Sequence, residues 1–192
     1  MAHDTGDVAI AYGLLSYVGA LSGSIDCDLT GSTVSSDKPI AVFSGHERAG
    51  IVDSLEFVYP NHPNVSRDQM TEQMPAQENW GKQFVIVASE QDSYKKRPAS
   101  GDIIRVIAAY DSTVVLVGGN QIAKLDKGSY TQFPVTNLAY IETSQPALVV
   151  KYLRTALSDA DSPGDPDLTV VPPLENMSTF YSLPTVADGV NF

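Results

Sequence analysis

An acidic loop near the C-terminus holds the densest group of side chains suited to metal chemistry. In SDADSPGDPD, residues 158–167, carboxylates recur at alternating positions and a glycine stands at the turn, as in loops that bind calcium through oxygen ligands. The candidate calcium ligands are Asp159, Asp161 and Asp165. However, Pro163 occupies the middle ligand position, and Val170 stands where a bidentate glutamate would close the site. A solvated acidic turn is therefore the default interpretation, and a weak extracellular calcium site is the alternative.

The histidines, the neighbouring serine and the single cysteine do not form a complete catalytic motif. His46-Glu47 begins like a zinc-binding HExxH helix, but Gly50 stands where the second histidine is needed. Ser44 precedes His46 without the Gly-x-Ser-x-Gly turn of a nucleophile elbow. Cys27 is alone, and a lone cysteine is more often a small core residue than a nucleophile. A triad assembled from residues distant in sequence stays open, but the sequence itself predicts no catalytic residue, no cofactor and no enzyme activity.

Two further groups of residues indicate surface roles. The sequons Asn64-Val65-Ser66 and Asn176-Met177-Ser178 make Asn64 and Asn176 candidates for N-glycosylation, which supports secretion only mildly. Four tyrosines are candidates for a platform that binds a sugar or a protein, although tyrosine in β proteins more often serves sheet packing. They are Tyr59, Tyr94, Tyr110 and Tyr130.

Composition excludes several classes of function. The net charge of the 192 residues is −11, which argues against a nucleic-acid partner because phosphates are bound by clustered Lys and Arg. The one basic cluster, Lys95-Lys96-Arg97, lies in a polar loop and is interpreted as solvated. No apolar run approaches the roughly 20 residues of a membrane span, so no membrane insertion is expected. The N-terminus lacks the pattern of a signal peptide, so we expect either a cytoplasmic protein or an internal piece of a longer secreted chain.

The elements that must position these residues are short strands. Between Asp102 and Val135, runs rich in Val, Ile and Tyr are separated by Asp111-Ser112, Gly118-Gly119-Asn120 and Asp126-Lys127-Gly128, which is typical of antiparallel hairpins. Similar runs occur along the whole chain. The predicted strands are Val8–Tyr12, Leu14–Val18, Leu29–Val34, Ile40–Phe43, Leu55–Tyr59, Gln83–Ala88, Ile103–Ala109, Thr113–Val117, Gln121–Leu125, Tyr130–Pro134, Leu138–Glu142, Ala147–Leu153, Leu168–Val171 and Thr179–Leu183.

This pattern predicts an all-β fold, an antiparallel β-sandwich or jelly-roll-like arrangement with at most one or two short helices. A helix of one or two turns is predicted in Ser66–Met74, because Ser66 and Gln69 have capping-box spacing. Residues 146–157 fit an amphipathic helix or a strand, and Val149-Val150 favours the strand. We expect residues 1–160 to form the β module and residues 161–192 to be the start of a second, truncated β unit.

Several blocks, taken together, resemble the N-terminal domain of the IgGFc-binding protein family, which occurs in large secreted mucus and adhesive proteins and in some bacterial surface proteins. Their order and spacing match the family pattern over roughly residues 12–185. The blocks are DLTGSTVSSDKPIAVFSG at Asp28–Gly45, EQMPAQENWGKQFVI at Glu72–Ile86, residues 101–133, SQPALVVKY at Ser144–Tyr152 and GDPDLTVVPP at Gly164–Pro173.

The resemblance implies a non-enzymatic extracellular or secreted module for adhesion, part of a larger protein, with a protein or glycan ligand. The alternative is an accessory carbohydrate-binding domain, dependent on calcium through the acidic loop. Arg48 and Arg67 fall near positions where family members often carry cysteines, so the resemblance implies that a disulfide has been lost. Gly164-Asp165-Pro166-Asp167 differs from the self-cleaving GDPH of mucin-type assembly domains, and self-cleavage is not expected.

Overall fold

The structure is a computed structural model that describes residues 28–51, 68–89, 101–154 and 166–181. These ranges contain antiparallel strands and two short 3₁₀ helices, at Gln77–Asn79 and Leu174–Asn176. The predicted all-β, antiparallel and sandwich-like fold is confirmed. No helix in the described residues is long and apolar enough to cross a membrane. The strands are β1 Val42–Ala49, β2 Asp68–Met74, β3 Gly81–Val87, β4 Asp102–Ala108, β5 Thr113–Val117, β6 Asn120–Leu125, β7 Tyr130–Val135, β8 Leu138–Leu153 and β9 Asp167–Val171.

The larger sheet, of seven strands, is organised around β8, which is 16 residues long. The first half of β8 pairs with β3 and β5, and its second half pairs with β4 and β9. β6 extends the sheet from β5, and β7 extends it from β4. One long strand therefore joins two groups of strands into a single curled sheet, while β1 and β2 form a separate two-stranded sheet.

The strand β4 is buried on both of its faces. Ile104, Val106 and Ala108 pack into a first hydrophobic cluster with residues of β3, β5, β6, β7 and β8. Ile103 and Ile107 point to a second cluster, which also contains Met70 of β2 and residues of β8 and β9. Burial on both faces explains why the β4 sequence DIIRVIA reads as a continuous apolar run and does not alternate.

The predicted helix in Ser66–Met74 is wrong, because the described part of that segment is the strand β2. It pairs with β1 in the register Val42↔Met74 to His46↔Met70. Met70 is buried and Met74 packs against the second cluster, so alternate residues of a polar segment meet the core. Pairing with a distant strand has overridden the local capping signal.

Four predicted strands differ from the structure. The strand at Leu29–Val34 is absent, since a turn occupies residues 30–31 and irregular chain follows. Residues 179–181 form no strand, and the rest of that prediction lies outside the described residues. The two strands predicted at Leu138–Glu142 and Ala147–Leu153 are one continuous strand, β8, which confirms the strand interpretation for the start of residues 146–157.

The described part of the proposed second unit continues the same sheet. β9 pairs with the second half of β8 from Val149↔Val171 to Leu153↔Asp167. The 3₁₀ helix that follows β9 contacts β3, and its Glu175 carboxylate accepts a hydrogen bond from the backbone N–H of Lys82 at 2.8 Å. β9 therefore belongs to the seven-stranded sheet, and the division of the chain into residues 1–160 and 161–192 stays a prediction.

Candidate functional site

A buried arginine on β4 forms one candidate site, which we call the Arg105 lock. The Arg105 side chain is 3% exposed and forms an ion pair with Asp28, with 2.9 Å between Nη1 and Oδ2. Its Nη1 also donates to the hydroxyl of Thr30, and its Nε donates to Oε1 of Gln132 at 3.0 Å. The guanidinium carbon lies 4.2 Å from the ring centre of Tyr130 and 5.4 Å from that of Tyr152, within the range of cation–π attraction.

The segment Asp28-Leu29-Thr30-Gly31 is folded as a cap over this arginine. The Asp28 carboxylate accepts hydrogen bonds from the backbone N–H of Thr30 at 2.9 Å and from its hydroxyl at 2.6 Å, which is the geometry of an Asx turn. Gly31 has a φ of +88°, and a Cβ at that position would lie 2.0 Å from the carbonyl oxygen of Gly128. The DLTG block thus anchors residues 28–31 to the β6–β7 turn and to β4.

The surroundings of Asp28, Tyr130 and Tyr152 in the Arg105 lock favour one charge state of each group at neutral pH. Burial acts to raise the pKa of Asp28, but the hydrogen bonds from Thr30 and the charge of Arg105 outweigh it, so this pKa lies below its ordinary value. Burial raises the pKa of Tyr130 and of Tyr152 above their ordinary values. The Asp28 carboxylate and the two phenols therefore keep their usual charge states at neutral pH, and Nε and Nη1 of Arg105 donate hydrogen bonds within the protein. This arrangement suits a structural role better than ligand binding.

Acid should weaken the Arg105 lock in a defined pH range. Because the pKa of Asp28 is lower in the folded than in the unfolded chain, its contribution to stability is complete above the unfolded value of about 3.8 and is lost as the pH falls through the folded pKa. We expect urea unfolding to show that Asp28→Asn is less stable than the wild type at neutral pH. The difference should shrink below about pH 4. The same substitution at the exposed Asp37 is the control, and a difference that does not vary with pH would contradict the assignment.

A serine and a lysine meet at the other end of β4. The backbone N–H of Ser89 donates to Oδ2 of Asp102 at 2.7 Å, and the Lys151 ammonium lies 3.5 Å from the same oxygen. Lys151 Nζ also donates to Oγ of Ser89 at 3.1 Å. The hydrogen bonds and the ion pair of these three residues therefore connect β4 and β8 to the chain that follows β3.

An open groove lies between the end of β2, the two 3₁₀ helices and the strands β3, β8 and β9. Its volume is about 430 Å³, and we call it the Trp80 groove. The chain's single tryptophan lines it together with three prolines. Phe84, which is 1% exposed, also lines it. The full lining is Glu72, Gln73, Met74, Pro75, Asn79, Trp80, Phe84, Ala147, Leu148, Val170, Val171, Pro172, Pro173 and Asn176.

The Trp80 groove is held in shape by hydrogen bonds between segments that are distant in sequence. The indole Nε1 of Trp80 donates to the carbonyl oxygen of Pro75 at 3.2 Å, and Nδ2 of Asn176 donates to that of Asn79 at 2.8 Å. Gly81 allows the close approach of the wall at Pro173, because a Cβ on Gly81 would lie 2.2 Å from the Cβ of Pro173. Proline rings fix the backbone further. The groove is therefore largely formed before any ligand arrives.

The lining brings together three of the blocks that carry the family resemblance. All lining residues except Asn176 fall within Glu72–Ile86, Ser144–Tyr152 or Gly164–Pro173. Trp80 packs against the second cluster as well as lining the groove. The groove itself was missed, because nothing in any single block indicates that the three meet. The lock was missed too, although an arginine inside the apolar run DIIRVIA is a signal that could have found it.

Of the described residues considered from sequence, His46, Tyr110 and Tyr130 lie outside the groove lining, whereas Asn176 is part of it. His46 is on β1, where its Nδ1 accepts a hydrogen bond from the backbone N–H of Arg48 at 2.9 Å beside a bulge. The described residues contain no group of three or more His, Cys, Asp or Glu that could hold a metal ion. Tyr110 is exposed, and Tyr130 packs over Arg105. The remaining candidates lie outside the described residues and stay predictions: His3, Cys27, Tyr59, His62, Asn64, Arg67, Tyr94, Asp159, Asp161 and Asp165.

Comparison with known proteins identifies one family. A family model described as IgGFc binding protein matches residues 11–191, nearly the whole chain. No curated protein and no solved structure gives a significant match.

Proposed function

Because this chain belongs to the IgGFc binding protein family, we propose that it is a non-enzymatic extracellular module that binds a protein ligand in the Trp80 groove. We further propose that it serves adhesion as part of a larger secreted or surface protein. The observation that carries this proposal is the convergence of three family blocks on one preformed groove lined by a tryptophan and three prolines. Tryptophan is enriched among the residues that dominate binding energy at protein interfaces.

The family supports a non-enzymatic role, because it is one of binding domains. Ser89, which accepts a hydrogen bond from Lys151 Nζ at 3.1 Å, and His46 are the side chains whose substitution tests this role. Hydrolysis of a panel of esters, glycosides and peptides that is lost on Ser89→Ala or His46→Ala would overturn the non-enzymatic assignment.

An extracellular location is supported by the family and by one sequon. Asn176 is the last residue of the second 3₁₀ helix and is exposed, as an acceptor for N-glycosylation has to be. We propose Asn176 as a modification site of the secreted protein. Mass spectrometry of protein secreted from a glycosylating host tests this, with Asn176→Gln as the unmodified control.

Loss of the Trp80 side chain should weaken binding of the protein ligand. Immunoglobulin G Fc is the first probe, because it is the ligand class in the family's description. We expect the Trp80→Ala variant to bind immobilised Fc about 30-fold more weakly by surface plasmon resonance, the typical cost of truncating an interfacial hot spot. Tyr110→Ala removes an exposed aromatic outside the groove and should leave the affinity unchanged.

A second variant separates binding from folding. Gln73 is an exposed residue of the groove lining, so Gln73→Arg should obstruct the groove without touching the core. Circular dichroism melting checks that both variants remain folded. Equal Fc binding by wild type, Trp80→Ala and Gln73→Arg would show that the groove is not the site. No Fc binding by the wild type would remove Fc as the ligand.

A further inference from the structure

The described lining of the Trp80 groove carries negative charge and no positive charge. Glu72 is the one charged residue in its described lining, and no lysine or arginine lines it there. Glu78 and Glu175 lie in the two 3₁₀ helices that flank it, and neither helix carries a basic residue in its last turn. The whole chain has a net charge of −11. A ligand segment that carries positive charge is therefore attracted to the groove, and one that carries negative charge is repelled.

The polar groups of the lining also suit a hydrogen-bond donor. The carboxylate of Glu72 accepts and does not donate, and a carboxylate matches the fork of an arginine guanidinium. Glu72 offers an acceptor without a donor, and a guanidinium supplies donors in a planar array.

Trp80 and the three prolines of the lining can contact the apolar residues that flank such an arginine in the ligand. The Nε1 of Trp80 is already engaged with Pro75, so the indole offers its ring surface rather than its N–H. An aromatic surface accepts a guanidinium through cation–π attraction and also stacks on proline rings. The walls formed by Pro75, Pro172 and Pro173 are apolar and fixed in shape. If the ligand segment is also extended and stiff, then neither the groove nor the ligand loses much conformational entropy on binding.

From these observations we propose that the Trp80 groove binds an extended segment of a partner protein in which arginine alternates with proline, with the guanidinium paired with Glu72. This inference rests on the proposed function and names the chemistry of the ligand for the same groove. An acidic peptide would leave Glu72 opposed by a like charge. A neutral sugar would lack the cation that the carboxylate and the indole favour.

Trp80 allows a direct measurement, because it is the chain's single tryptophan and lies in the groove. Its fluorescence is titrated with three acetylated hexapeptides: three Pro-Arg repeats, the same with citrulline, and the same with glutamate. Citrulline keeps the shape of arginine and removes its charge. We expect a saturable change with the arginine peptide, about tenfold weaker binding of the citrulline peptide, and no binding of the glutamate peptide.

The role of Glu72 is tested by isosteric substitution. Glu72→Gln should weaken the arginine peptide by about tenfold and bring its affinity close to that of the citrulline peptide. Glu47→Gln is the matched control, since Glu47 is an exposed carboxylate on β1 outside the groove lining. Melting curves of both variants establish that the fold is intact.

Three results would overturn the inference. The first is a failure of all three peptides to bind, and the second is an equal affinity for the arginine and glutamate peptides. The third is a Trp80 signal that depends on protein concentration without peptide and accompanies dimers in sedimentation, which would make a second copy the occupant. None of these decides whether the groove binds a protein ligand. That question depends on the Fc experiment with Trp80→Ala and Gln73→Arg.

Discussion

Replacing Asp28 with alanine should lower the free energy of unfolding by about 2–4 kcal/mol. The substitution leaves the guanidinium of Arg105, which is 3% exposed, without its carboxylate partner. Removing one partner of a buried ion pair costs about 3–5 kcal/mol, and the figure is reduced here because the Asp28 side chain is 24% exposed. Urea unfolding followed by circular dichroism measures the loss.

The double variant Asp28→Ala with Arg105→Met tests whether the loss of stability comes from leaving the buried guanidinium without a partner. If the cost comes from the uncompensated charge, then removing the charge as well should recover a large part of the stability, since an apolar side chain of similar length fills the site. Asp37→Ala, at an exposed position, should change the stability by less than about 0.5 kcal/mol. A single Asp28→Ala variant as stable as this control would show that the ion pair does not hold residues 28–31.

Gly31→Ala should destabilise the same cap by about 3 kcal/mol or more. Two costs add at this position. The backbone has a φ of +88°, which a side chain disfavours, and the new Cβ would lie 2.0 Å from the carbonyl oxygen of Gly128. The clash involves backbone on both sides, so no side-chain rotation can relieve it. Thermal and urea unfolding both report the change.

Gly118→Ala is the matched control for this substitution. Gly118 also has a positive φ, +55°, but a Cβ there would meet no atom within 4 Å. We expect a cost of about 1 kcal/mol, from the backbone conformation alone. Equal losses at Gly31 and Gly118 would mean that the cap does not approach the β6–β7 turn as closely as the structure has it.

The parts of the fold that the sequence predicts well are those decided by neighbours in the chain. The strands β4 to β7 lie close to their predicted bounds, because the turns at Gly118-Gly119 and Gly128 require positive φ and leave few alternatives. A helix was predicted over Ser66–Met74 because Ser66 and Gln69 have capping-box spacing. The strand conformation of β2 depends on β1, whose paired residues lie 19 to 32 positions earlier in the chain, and no local pattern indicates that partner.

The candidate sites, like β2, depend on contacts between residues that are distant in the sequence. Leu29–Val34 was predicted as a strand, but residues 28–31 fold as a turn over Arg105, which is 77 positions from Asp28. The Trp80 groove draws on β2, β3, β8 and β9, and its shape exists only when β3 and β9 have paired with β8 and β2 has packed against β9. The family blocks marked the right residues without indicating their common surface. Spatial convergence of distant segments is the information that a single sequence does not carry.

The position of β8 in the chain has a consequence for biosynthesis. The ribosome releases β3, β4 and β5 before residues 138–153, yet all three pair with β8. The nascent chain can form the β5–β6 hairpin and the β4–β7 pair alone, with apolar strand edges left open to other chains. When β8 emerges from the ribosome, it can pair with β3, β4 and β5 together. A translational pause before residue 138 would prolong the aggregation-prone state, and chaperone demand should peak at that point of synthesis.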